Sequence, residues 1–321
     1  MKPLTAVLAV CLLATAAVPQ HPSAPSRVSV GRPGADDCPP AQARLRPGEG
    51  RDPERNELTP AQAAKVEREL AKLLGGLRGR HRSNPPTRVT VPVNFHVLHS
   101  GPAGNLTDEQ IDRQIRALDS SYDGTLGGED TRFDFVLREV TRTDEPRWYA
   151  DPTRHEADFK KRLRKGGPGT LNLYSADLGD QVLGWATFPW LYKSTPAMDG
   201  VVVHTKSLPG GTIPGFDRGF TATHEVGHWL GLYHTFQNGC RDPGDRVPDT
   251  SPENLPTDGC PLHKDTCPGG DADPIHNFMD YSHDHCMSEF TQGQGDRMHD
   301  VWTAYRVDRG PAPRAVVQES R

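Results

Sequence analysis

His224-Glu225-Val226-Gly227-His228-Trp229-Leu230-Gly231-Leu232-Tyr233-His234 decides the reading of this chain. On a helix, His224 and His228 stand one turn apart on one face, about 5–6 Å between Cβ atoms, so their imidazoles can close on a single ion. Glu225 flanks that face. Gly231 lets the backbone leave the helix through a conformation that a residue with a Cβ resists, and His234 then swings back as a third ligand. Three protein ligands leave a fourth position for water, which separates a catalytic zinc site from a closed structural one. The spacing therefore predicts zinc-assisted hydrolysis with Glu225 as general base. Val226, Trp229, Leu230 and Leu232 predict that the helix, over about 221–233, is also core.

Outward from this stretch the chain divides by texture. Met1-Lys2-Pro3, an apolar run to Val18 and small residues at Ala14-Thr15-Ala16-Ala17 read as a secretory signal over 1–17, with Cys11 inside it. The run is short for a membrane span, and no other stretch is apolar enough to be one. Residues 19–58 carry Pro, Gly and Arg with little periodicity and predict an extended or poorly ordered stretch. Thr59-Pro60-Ala61-Gln62 opens a helix with a capping box, and Gly75-Gly76 is expected to close it after Leu74. The basic stretch 79–88 reads as an exposed, cleavable linker. The resulting division is signal 1–17, pro-segment 18–87, catalytic domain 88–310 and tail 311–321.

From Arg88, Val89, Val91, Val93, Phe95 and Val97 alternate as in a half-buried strand. Thr107-Asp108-Glu109-Gln110 caps a second helix carrying Ile111, Ile115, Leu118 and Tyr122 on one face. Strands are predicted near 133–140, 170–174, 184–188 and 200–204, with a polar helix near 154–164. After the histidine helix the sequence is irregular from 235 to 286. A final helix after Thr291 is expected to turn Met298, Val301, Trp302 and Tyr305 inward. The fold class is α+β, with a sheet and helices above a cleft and an irregular part below it. Net charge is −5 with no basic stripe, which argues against nucleic acid as partner.

Asn277-Phe278-Met279-Asp280-Tyr281-Ser282, a later Met in a tight turn, together with the extended histidine motif resembles the metzincin peptidases. Within them the text is similar to the pappalysin family: Gly219-Phe220-Thr221-Ala222-Thr223, Gly244-Asp245-Arg246-Val247-Pro248-Asp249-Thr250, and Asp273 through Tyr281 before Cys286-Met287. Phe290-Thr291-Gln292-Gly293-Gln294 and Arg297-Met298 complete the likeness, which runs over about 88–306. The resemblance implies a zinc endopeptidase acting on polypeptides, with a twisted mixed sheet and backing and active-site helices above the cleft. Its antiparallel edge strand, placed at 183–189, would border the cleft and pair with an extended substrate. Met279 would floor the metal, and the Tyr281 hydroxyl would face the reacting carbonyl; otherwise Tyr281 is a packing residue.

Asp284 falls where related enzymes place an acid in the pocket for the residue after the cut, which would favour Arg or Lys there. His283 and His285 are alternative partners for it. Calcium is implied near Asp245, Asp249 and Thr250, residues that also suit ordinary turns. His204, His263 and His276 read as surface or locally hydrogen-bonded.

Of the six cysteines, Cys240, Cys260, Cys267 and Cys286 cluster downstream of the motif, and export makes two disulfides the expectation. Sequence alone allows three pairings, or a zinc site of all four. The resemblance implies Cys240 with Cys267 and Cys260 with Cys286. Cys38 is the odd thiol; in several metzincin zymogens such a cysteine fills the open zinc position, while a free or intermolecular thiol is the alternative. Other functions compatible with the motif are a non-catalytic secreted binding module held by metal and hydrolysis of a non-peptide amide.

Overall fold

The computed structural model describes residues 42–45, 58–78, 87–269 and 271–308, all within one compact unit, Pro39–Arg321. The signal segment with Cys11, the thiol of Cys38, the arginines at 80 and 82 and the tail 311–321 lie outside the described residues.

In chain order the elements are β1 (Gln42–Leu45), α1 (Pro60–Arg78), β2 (Val89–His99), α2 (Asp108–Tyr122), β3 (Phe133–Asp144), α3 (Pro146–Ala150) and α4 (Pro152–Leu163). There follow β4 (Leu171–Ala176), β5 (Val182–Ala186), β6 (Val201–His204), α5 (Phe220–Trp229) and α6 (Gln292–Val301). The strands form one sheet in the order β1-β5-β6-β4-β2-β3. The β2–β3, β2–β4 and β4–β6 pairs are parallel, whereas β5 runs antiparallel to β6 and β1 antiparallel to β5. Among the described residues no helix is long and apolar enough to cross a membrane.

Three expectations need correction. β1 lies in a stretch expected to be extended or poorly ordered, where no strand was placed; its backbone pairs with β5, Gln42 opposite Ala186 through Leu45 opposite Val182. Such added pairing needs an open edge, which β5 offers, more than it needs a strand-forming sequence. Second, α1 passes through Gly75-Gly76 to Arg78. Each glycine costs about 1 kcal/mol relative to alanine in a helix, and half-buried Leu73, Leu74 and Leu77 carry the helix across them.

Third, β2 is buried on both faces. Val91, Val93, Phe95 and Val97 pack with Ile111, Leu118, Val226 and Trp229 from α2 and α5. On the opposite face Leu98 joins Trp148, Phe159, Tyr174, Trp185 and Val202 under α3 and α4. A strand central in a parallel sheet is covered from both sides, so alternation alone understates its burial.

The capping box at Thr107 forms, with both Thr107 and Gln110 closing reciprocal bonds. A second one at Thr291 and Gln294 starts α6. Met298 and Val301 are buried as expected; Trp302 and Tyr305 are half-buried in a wide turn, Trp302–Arg306, that extends α6. Between α5 and α6 the chain is irregular and held by disulfides Cys240–Cys267 and Cys260–Cys286, each with Cα atoms 5.4 Å apart. These are the pairings the family resemblance implied, and they exclude the four-cysteine zinc site.

Candidate active site

α5 is shorter than expected, because the chain leaves the helix at Trp229. Gly231 takes φ +100°, and a Cβ there would meet Val301 at 2.6 Å. The Leu232 N–H turns back to the Gly227 carbonyl at 2.9 Å, and His234 comes round to the face that bears His224 and His228. The Nε2 atom of His228 lies 3.1 Å from Nε2 of His224 and 3.1 Å from Nε2 of His234. All three imidazoles are fully buried.

The Nδ1 atoms decide the proton positions. His224 Nδ1 donates to the Phe278 carbonyl at 2.7 Å and His228 Nδ1 to the Leu232 carbonyl at 2.8 Å, since a carbonyl can only accept. Their Nε2 lone pairs therefore converge, which repels unless a cation sits between them. Nitrogens 2.0–2.1 Å from one tetrahedral ion lie roughly 3.3 Å apart, so the spacing fits zinc. Carbonyl partners on the far nitrogens fix the tautomer, as is usual for metal-bound histidine. Among the described residues this is the group of His, Cys, Asp or Glu side chains able to hold a metal.

Glu225 is fully buried beside the triad. Its Cγ lies 2.9 Å from where a Cβ on Gly184 would stand, so the smallest side chain brings the β5 backbone against the carboxylate. Met279 is packed beneath: a Cβ on Gly227 would sit 2.4 Å from its Sδ. Tyr281 Oη is 3.3 Å from His234 Nε2, and the Tyr281 ring meets the His234 ring edge-on at 5.1 Å. Phe236 stacks on His234 at 4.6 Å and meets the Tyr281 ring edge-on at 5.0 Å.

Asp284 is buried with Oδ2 accepting the Arg218 N–H at 2.8 Å, while its own N–H donates to the Gly215 carbonyl at 2.8 Å. These contacts fix it to the 213–218 loop, where Leu183 of β5 packs with Ile213 and Phe216. Asp249 sits at the start of α6: Oδ1 accepts from Thr291 Oγ1 and Oδ2 from the Gly293 N–H, both at 2.8 Å. That capping role accounts for Asp249 without a cation. Asp245 accepts the Val247 N–H at 3.0 Å, and burial pushes its carboxyl up to about 7. His204 is buried, its Nδ1 accepting from the Lys206 N–H at 3.1 Å, and His276 Nδ1 donates to the Cys286 carbonyl at 2.6 Å.

Sequence reading assigned no part to the groups that brace this site. Arg297, buried, donates from Nε to the Gly231 carbonyl at 3.0 Å and grips Glu67 of α1 through both terminal nitrogens at 2.7 and 3.1 Å. Tyr233 Oη donates to the same Glu67 at 3.1 Å. Arg306 caps the end of α5, with Nε and Nη2 on the Trp229 carbonyl at 3.1 and 2.9 Å.

Comparison with known proteins agrees with this geometry. A family model described as pregnancy-associated plasma protein-A matches residues 184–303. Extracellular metalloprotease 1 of Coccidioides posadasii is 45% identical over 69% of this chain and 79% of its own. An extracellular metalloprotease of Verticillium alfalfae is 42% identical over 74% and 86%. Among solved structures, a mutant of Tannerella forsythia promirolysin superposes with TM-score 0.62 at 27% identity, covering 76% of this chain and 90% of that one. Mature mirolysin with a cleaved peptide gives 0.58 at 30% identity, covering 67% and 91%. Fold, histidine triad and relatives agree: the chain belongs to the pappalysin family of metzincin peptidases and is a metalloendopeptidase.

Proposed function

We propose a secreted zinc endopeptidase, made as a latent precursor, that cuts polypeptides before Arg or Lys. The observation that carries the reading is the convergence of three buried Nε2 atoms beside Glu225. His224, His228 and His234 would hold zinc, which when bound lowers the pKa of a water in the fourth position toward about 7 and polarises a carbonyl. Glu225 takes the proton of the attacking water and passes it to the leaving amine nitrogen. Tyr281 Oη donates to the carbonyl oxygen as negative charge develops there. Asp284 at the pocket wall receives the basic side chain that follows the cut.

An extended substrate would lie antiparallel along β5. The pairing of β1 with that edge supports this, and also the latency, because β1 belongs to the proposed pro-segment 18–87. Cys38, four residues upstream of β1, would fill the fourth zinc position in the precursor. Signal 1–17 and relatives named extracellular support export. A calcium ion would sit at that loop, where the buried Asp245 carboxylate faces the Thr250 hydroxyl.

The test is incubation of the exported, processed protein with a proteome-derived peptide mixture, with and without a zinc chelator, reading cleavage sites by mass spectrometry. Chelator-sensitive cuts before Arg or Lys are expected, and Glu225→Gln should keep zinc yet lose roughly 10²–10⁴-fold in rate. Full activity of zinc-loaded Glu225→Gln would overturn the mechanism. An unchanged preference in Asp284→Ala would discard the pocket while keeping the enzyme.

A further inference from the structure

His234 and Tyr281 reach the site from separate stretches of a subdomain with almost no regular structure, so something other than helices or strands must hold them in register. Buried within it is a charge network that the mechanism does not use. The Lys264 ammonium contacts Glu253 Oε1, the Leu255 carbonyl and, at 2.9 Å, Asp273 Oδ2. Three oxygens match the three donors of an ammonium. Both carboxylates have fully buried side chains, and that of Lys264 is 16% exposed.

Two arms leave this node. On one, Glu253 Oε2 accepts the Thr235 hydroxyl at 2.6 Å, directly after His234. On the other, the Thr257 hydroxyl donates to Glu253 Oε1 at 3.1 Å, and the Thr257 N–H donates to Asp280 Oδ1 at 2.9 Å. That same oxygen accepts the Tyr281 N–H at 2.7 Å. The Thr235 N–H closes the ring on the Met279 carbonyl at 3.3 Å.

We propose that Lys264 is a positioning residue for the reaction, an internal cation that fixes the His234 arm against the Tyr281 arm as a bound metal ion would. The proposal rests on the reading of His234 as metal ligand and Tyr281 as carbonyl partner. Lys264 is needed because Glu253 and Asp280 are buried close to one another; burial and Asp280 push the Glu253 carboxyl up to about 7 even with the lysine present. Without that ammonium a carboxylate takes a proton, and its hydrogen bonds to the two threonines are rearranged. A planar guanidinium does not reproduce the ammonium's three-way contact.

The experiment compares Lys264→Met, Lys264→Arg, Thr235→Val and Thr257→Val, with zinc affinity read by competition against a chromogenic chelator and kcat and KM read at saturating zinc. Lys264→Met should weaken zinc about tenfold and lower kcat about tenfold with KM within about twofold, the size seen when groups behind a metal ligand are lost. Lys264→Arg should restore neither fully. Thr235→Val should reproduce the zinc loss, and Thr257→Val the kcat loss.

Wild-type zinc affinity and kcat in folded Lys264→Met would overturn the proposal and leave Lys264 a stability residue. Should Lys264→Met not fold, the threonine variants decide: wild-type zinc affinity in Thr235→Val together with wild-type kcat in Thr257→Val refutes it. Zinc affinity does not depend on turnover, so failure here is distinguishable from failure of Glu225 as base.

Discussion

Replacing Arg306 by methionine isolates what a buried ion pair contributes to the frame of the site. The Arg306 and Asp199 side chains are both inaccessible to solvent, with Nη1 2.9 and 3.0 Å from the two carboxylate oxygens. The guanidinium also lies 3.7 Å from the centre of the Trp229 ring and caps the Trp229 carbonyl. Methionine keeps the stem volume but leaves Asp199 with the Trp229 indole N–H, at 3.2 Å, as a remaining donor. Breaking such a pair costs roughly 3–5 kcal/mol.

Urea unfolding of the zinc-loaded protein in the Glu225→Gln background avoids self-digestion and measures this. Asp199→Asn combined with Arg306→Met should recover about half the loss, since no unpaired charge then remains. A cost below about 1 kcal/mol for Arg306→Met, or a double variant equal to the sum of the singles, would refute the reasoning.

His96 is buried between Thr141 and Asn172 and held by burial at about 4, below its unfolded value of 6.5. Its contribution is therefore intact above pH 6.5 and lost as pH falls toward 4, by about 3 kcal/mol. His96→Gln should flatten that loss between pH 7 and 4.5, and a profile identical to wild type would exclude it. Proline at both Ala43 and Arg44 removes consecutive N–H donors and should undo β1 pairing, raising the activity of the uncut precursor at least tenfold; unchanged latency would separate β1 from inhibition. Calcium should raise the melting temperature of wild type and not of Asp245→Asn; an equal rise in both places calcium elsewhere.

What the sequence disclosed depended on how local the deciding geometry is. His224, Glu225, His228, Gly231 and His234 span one helix and its exit, and their spacing alone predicts a converging triad. The alternation of β2 and the capping box at Thr107 are equally local. The disulfide pairing was legible only through family resemblance, because three pairings satisfy the spacing. β1 was missed because Gln42-Ala43-Arg44-Leu45 is too short for its alternation to stand out among Pro and Gly, and it owes its strand to an edge about 140 residues away in sequence.

The groups that hold the site are separated more widely still. Glu67 and Arg297 are 230 residues apart, and Asp199 and Arg306 are 107 apart. In sequence Lys264 reads as a solvated charge in a polar loop, which is what most such lysines are. Arg297, Arg306 and Lys264 have one thing in common: each neutralises a carboxylate that braces a segment leading to or from a histidine of the proposed metal site. A loop-rich subdomain has few ladder or helix bonds to fix its course, so buried charge pairs substitute for them. Their directional bonds set positions that apolar packing would leave free to slide. A pattern of residue types can therefore announce the reacting groups, whereas the precision with which those groups meet resides in partners that only the folded chain brings together.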